Sequence, residues 1–93
     1  MTTQNVTVVN QLGLHARAAA RFVSLASRFQ SQIRVGHGTK VMDGKSIMGI
    51  LLLAAARGTV ITLTANGPDE QAAVDALVQL VRSGFGEESS WNV

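Results

Sequence analysis

The sequence predicts an α+β fold of order βαββαβα, with four antiparallel strands in one sheet and three helices packed on one of its faces. Three observations lead there. β-Branched, alternating runs stand at residues 5–9, 31–35, 39–43 and 59–65. The intervening segments are alanine-rich or aliphatic, with apolar residues recurring at helical spacing. Turn residues separate the elements, most clearly at Gly36-His37-Gly38, Asp43-Gly44 and Asn66-Gly67-Pro68. The last strand can return to pair with the first, closing a single sheet.

In chain order, residues 5–9 put Val6 and Val8 on one side and Thr7 and Val9 on the other. Gly13 breaks the chain, and the arginine-spaced alanine run that follows favours a helix over residues 16–28. Its apolar stripe is Ala19, Phe22, Val23, Ala26 and Phe29, while Arg17, Arg21, Ser24 and Arg28 occupy another face. Residues 31–35 alternate as a half-buried strand. Gly36-His37-Gly38 reads as the hairpin turn, with His37 exposed in it, and residues 39–43 as the return arm. Ser46 suits the N-cap of a short helix reaching residue 53. That helix is too apolar to bury on every side. Ile50 and Leu53 fit the core, whereas Ile47, Met48 and Leu51 fit a partner. Residues 59–65 form the clearest strand, pointing Ile61, Leu63 and Ala65 one way. Pro68-Asp69-Glu70 open the last helix, residues 68–83, which buries Ala73, Val74, Leu77, Val78 and Val81. Gly84 and Gly86 end it, and residues 87–93 read as a polar tail containing Trp91.

Residues 1–93 make one domain, and a hydrophobic content of 46% excludes a disordered chain. The absence of cysteine removes disulfide and thiol chemistry and suits a reducing cytoplasm. The first residues are polar and lack a basic-then-apolar leader, and the longest apolar run, residues 50–56, is too short to cross a bilayer. A cytoplasmic domain without membrane insertion is expected. Residues 1–46 hold six of the eight basic side chains against one acid, and residues 47–93 hold the other two against five acids. A basic front half attracts acidic partners. Nucleic acid fits poorly, because there is no tyrosine and the aromatics are only Phe22, Phe29, Phe85 and Trp91. His15 and His37, without cysteine or a carboxylate pair, make no metal site.

The functional signal centres on Gly13-Leu14-His15-Ala16-Arg17. A histidine at the start of a helix stands where free N–H groups and the positive end of the dipole favour an anion. An unprotonated imidazole nitrogen is a nucleophile, and Arg17 with the backbone N–H groups could hold a phosphoryl group placed on it. This segment resembles the active-site signature of the histidine-containing phosphocarrier proteins (HPr) of the bacterial phosphotransferase system. A second segment, Gly44-Lys45-Ser46-Ile47-Met48-Gly49-Ile50, resembles that family's regulatory-serine region, in order and at the family's spacing.

The resemblance implies an open-faced β-sandwich and a carrier rather than an enzyme, needing neither cofactor nor metal. In the implied relay, an enzyme I–type protein charged by phosphoenolpyruvate donates to Nδ1 of His15. The group then passes to a histidine on an enzyme IIA–type acceptor. Arg17 and the N–H groups of Ala16, Arg17 and Ala18 would balance the phosphate charge. Ala20, Ile47, Met48 and Leu51 would form the apolar docking face, with Arg21 and Ser24 at its rim. Ser46 would be a regulatory phosphorylation site for an HPr kinase/phosphorylase. Ala18 stands where the family commonly has proline, and the ending Ser83-Gly84-Phe85-Gly86-Glu87 is similar to the nitrogen-related branch, as opposed to the sugar-transport branch. A monomer is expected. Two other classes remain open: a regulatory binding module switched by Ser46 alone, and a basic nucleic-acid-binding domain whose affinity would fall steeply with salt.

Overall fold

The computed structural model describes residues 1–86. The tail expected over residues 87–93, Trp91 included, lies outside the described residues. The elements are β1 (Thr2–Thr7), α1 (Ala16–Ala26), β2 (Gln32–His37), β3 (Lys40–Asp43), α2 (Ile47–Leu52), β4 (Val60–Asn66) and α3 (Glu70–Arg82). The sheet order is β1-β4-β2-β3 with every neighbouring pair antiparallel. Val6 faces Ile61 across β1 and β4, and Val35 faces Leu63 across β2 and β4. Strand alternation therefore sets Val6, Ile33, Val35, Ile61, Leu63 and Ala65 on one buried face. The three helices cover that face with Ala19, Phe22 and Ala26 from α1, Ile50 from α2, and the five expected residues of α3. Full burial of a Val, Leu, Ile or Phe side chain contributes about 1.5–3 kcal/mol, so this interface is the main source of stability. The opposite sheet face carries exposed Thr3, Asn5, Arg34, Val41 and Val60.

Several boundaries differ from the sequence reading. β1 begins at Thr2 because its pairing with β4 extends to Thr2↔Ala65, a partnership that its polar residues do not advertise. α1 ends at Ala26, short of Arg28. The hairpin turn falls one step later than expected: Gly38 takes the left-handed conformation (φ 62°), and Gly36 and His37 remain in β2. His37 is consequently half-buried rather than an exposed turn residue, with Nδ1 3.1 Å from the Leu53 carbonyl oxygen. Lys40 Nζ donates to the neighbouring Leu52 carbonyl, so the hairpin caps the C-terminal end of α2 from outside the helix. In α2 itself, Leu51 is half-buried against the core and Leu52 is the exposed leucine (54%).

Asp69 also departs from its expected role. It precedes α3 as N-cap but makes no side-chain cap bond. Its carboxylate instead accepts from the Gln30 and Ser31 backbone N–H groups and from the Ser31 hydroxyl, tying the α1–β2 connection to the start of α3. The Ser31 hydroxyl, followed by the Gln30 N–H, holds the Asp69 pKa below the ordinary carboxylate value. Glu70 is lowered to about 2, first by the N-terminal ammonium 2.8 Å away, then by the Thr2 hydroxyl and the Gly67 N–H. A carboxyl whose folded pKa is depressed stabilises the fold fully above its unfolded pKa and loses that contribution as pH falls through the folded value. Urea midpoints should therefore drop as pH is lowered from about 4.5 to about 2. Ser31→Ala should flatten the share carried by Asp69, and an unchanged acid profile in that variant would contradict the assignment.

Candidate functional site

The site is built on the connection between β1 and α1. Val8 exchanges backbone hydrogen bonds with Thr59 and Gly58, which fixes the chain as it leaves the sheet. Asn10 is buried, and its Nδ2 donates to the Gly13 carbonyl at 2.7 Å, while the Gly13 N–H returns to the Asn10 carbonyl. Gly13 is left-handed (φ 66°) and lies so close to Ala55 that a Cβ would stand 2.5 Å from the Ala55 carbonyl oxygen. Leu14 anchors the segment by burying its side chain and donating its N–H to that same oxygen at 3.0 Å. The exit from α2 thus supports the loop that carries the histidine.

His15 is the N-cap of α1, with an extended backbone (φ −79°, ψ −179°). Its carbonyl accepts from the Ala19 N–H at 2.8 Å, the first helical bond. Its ring Nδ1 accepts from the Arg17 N–H at 3.2 Å. A nitrogen that accepts an N–H bond carries a lone pair, so the neutral ring has its proton on Nε2 and its nucleophilic lone pair directed at the helix N-terminus. The imidazole is half-buried. Of the three N–H groups expected to face a phosphate, that of Arg17 is engaged by His15 in this state. Ala16 and the Arg17 side chain are exposed, but the Ala18 side chain is fully buried among the core residues, which the helical stripe read from the sequence omitted.

Ala20, Arg21 and Ser24 share the exposed side of α1 with Arg17, and exposed Arg28 follows just beyond its end. They line a groove of about 560 Å³ whose other wall is the end of α3. Arg21 is more than a rim residue: its Nη1 donates to the Phe85 carbonyl. Phe85 is buried and left-handed (φ 58°), flanked by left-handed Gly84 and Gly86. The sequence marks these glycines as a helix stop, yet nothing in it points to an arginine 64 residues away. Ser46 is the half-buried N-cap of α2, its Oγ accepting from the Gly49 N–H at 3.0 Å. Ile47 (45%) and Met48 (65%) are exposed on a helix that packs against α1. Among the described residues, no helix is long and apolar enough to cross a membrane, and no cluster of three or more His, Cys, Asp or Glu could hold a metal.

Residues 2–83 match the family model described as the PTS HPr component phosphorylation site. The chain belongs to the HPr family. It is 47% identical over 87 residues to the phosphocarrier protein HPr of Cupriavidus necator, covering 94% of this chain and 98% of that relative. It is 43% identical over 86 residues to the phosphocarrier protein NPr of Shewanella violacea, with 92% and 94% covered. The crystal structure of HPr from Thermoanaerobacter tengcongensis superposes with a TM-score of 0.90 at 48% identity, covering 92% of this chain and 97% of that one. Membership makes this HPr-family chain a phosphocarrier of the phosphotransferase system rather than a catalytic enzyme. The four-stranded antiparallel sheet with three helices is the family's architecture.

Proposed function

We propose that this chain relays a phosphoryl group through Nδ1 of His15, from an enzyme I–type protein charged by phosphoenolpyruvate to a histidine on an enzyme IIA–type acceptor. The observation that carries the reading is the N-cap geometry, which turns the Nδ1 lone pair toward the backbone N–H groups at the head of α1. In the transfer, that lone pair attacks the phosphorus of the donor's phosphohistidine. A new N–P bond forms as the donor's N–P bond breaks; the electron pair returns to the donor's imidazole, which takes up a proton from solvent as His15 Nε2 releases its own, so both rings end neutral. Nδ1 then ceases to be an acceptor, and the Arg17 N–H turns to a phosphoryl oxygen, joined by the first-turn N–H groups of Ala16 and Ala18. The Arg17 guanidinium supplies the compensating charge. A helix N-terminus adds only about 0.3–1 kcal/mol at an exposed site, so the group is stabilised without being trapped.

Ala20, Ile47 and Met48, with Leu51 behind them and Leu52 added, supply apolar contact in this reading. Arg17, Arg21 and Ser24 meet the acidic surface of the partner. Ser46 is the regulatory serine, the substrate of an HPr kinase/phosphorylase. A phosphate there would stand at the head of α2 and place negative charge beside Ile47 and Met48. A regulatory module acting through Ser46 alone would leave the pairing of His15 and Arg17 without a use. One cytoplasmic, monomeric domain serves this role, in either the sugar or the nitrogen-related branch.

Incubation with phosphoenolpyruvate, magnesium and enzyme I of each branch tests the reading. Acid-labile, base-stable phosphate is expected on the wild type and none on His15→Ala. Equal labelling of both proteins would move the acceptor elsewhere, and an unlabelled wild type would sink the relay.

A further inference from the structure

Ala54 follows α2 in the left-handed conformation (φ 50°), one of two non-glycine residues among those described to adopt it. An alanine there sets its Cβ close to the following carbonyl oxygen, a penalty that glycine escapes. Ala54 is exposed, so burial of its own side chain does not offset that penalty. Its neighbours impose the conformation, since Leu53 and Ala55 are both buried. Such a backbone persists only where the surrounding contacts over-determine it.

A hydrogen bond stands on either side of this bend. Before it, His37 Nδ1 lies 3.1 Å from the Leu53 carbonyl oxygen, and because that oxygen can only accept, Nδ1 carries the proton. After it, the Ala55 carbonyl accepts the Leu14 N–H, and Leu14 adjoins His15. We infer that His37 is a positioning residue for His15, holding the Ala54 bend so that the Ala55 carbonyl stays within reach of the Leu14 N–H. The inference rests on the relay reading and extends it to the second histidine of the chain. His37 does not touch the phosphoryl group; it acts through the backbone from Leu53 to Ala55. Without its donor, the bend relaxes toward the right-handed region and shifts the oxygen that anchors the His15 loop. A small displacement of the reacting nitrogen lowers the rate of transfer and leaves the docking residues in place.

The test is steady-state labelling by enzyme I, combined with hydrogen exchange at the Leu14 amide. His37→Leu should lower kcat about fivefold, the equilibrium factor for one ordinary hydrogen bond, with KM for the carrier unchanged. Exchange of the Leu14 amide should accelerate by a similar factor, because it reports opening of its bond to Ala55. His37→Ser, too short to reach Leu53, should repeat both effects. His37→Asn keeps an N–H donor near the place of Nδ1 and should stay near the wild type. Adding Ala54→Gly to His37→Leu should restore kcat and protect Leu14 again, since glycine holds the bend without the penalty; it would not repair a general loss of stability. Unchanged kcat and Leu14 exchange in His37→Leu, or a deficit that Ala54→Gly leaves in place, overturns the inference while the relay stands. An unlabelled wild type would overturn both together.

Discussion

Replacing Arg17 with alanine is expected to slow phosphoryl transfer to and from His15 by about 10²–10³-fold, the usual loss when one charge-stabilising donor is removed from a transition state. The fold should be unaffected, because the Arg17 side chain is exposed and its backbone N–H, which meets His15 Nδ1, survives the substitution. The variant therefore separates the two contributions of this residue. If transfer is measured by rapid-quench labelling, a deficit in the transfer rate at saturating donor would assign the guanidinium to the transition state. A deficit in apparent affinity alone would assign it to docking. Lysine at this position should recover only part of the rate, since an ammonium keeps the charge but loses the planar two-pronged donor.

Gly13→Ala should damage stability and transfer together. The left-handed backbone costs an alanine about 1–2 kcal/mol, and the added Cβ would press on the Ala55 carbonyl oxygen from 2.5 Å. That oxygen is the acceptor for Leu14, so relief of the clash lengthens a bond worth about 0.5–1.5 kcal/mol. Together these give about 1.5–3.5 kcal/mol, readable in urea unfolding. Because Leu14 precedes the N-cap directly, the shift propagates to His15, and the labelling rate should fall even where the variant is fully folded. A variant with wild-type stability would show that the β1–α1 loop adapts freely and that its rigidity does not position the histidine.

The core was the most legible part of the chain. β4 alternates cleanly, and every residue assigned to the buried stripe of α3 is buried. In those elements period and burial repeat over two or more turns or several strand residues. The candidate site was legible because its residues are close in sequence, and an N-cap histidine with its arginine needs no long-range information. The misreadings share a cause. α2 has six residues, fewer than two turns, so its apolar pattern does not fix a phase: Leu51, read as a partner residue, is half-buried, and Leu52, given no role, is the exposed leucine. Gly36-His37-Gly38 offers two possible turn glycines, and the pairing with β4 selects the second. Asp69 reads as a first-turn acid of α3, but the Ser31 groups it serves lie 38 residues away. The bond from Arg21 to Phe85 is equally invisible from either end.

All three helices lie on one side of the sheet, and His15 stands at the head of one of them. In the proposed relay, two proteins that must each bring a histidine to the same nitrogen cannot be bound at once. The carrier has to let go of its donor before it meets its acceptor, so its throughput is bounded by residence time. An exchange of about 100 per second with an association rate constant of about 10⁷ M⁻¹s⁻¹ requires a dissociation constant no tighter than about 10 μM. Selection on such a protein acts against tight binding, and its recognition residues are better understood as setting which partners it leaves quickly than which it holds longest.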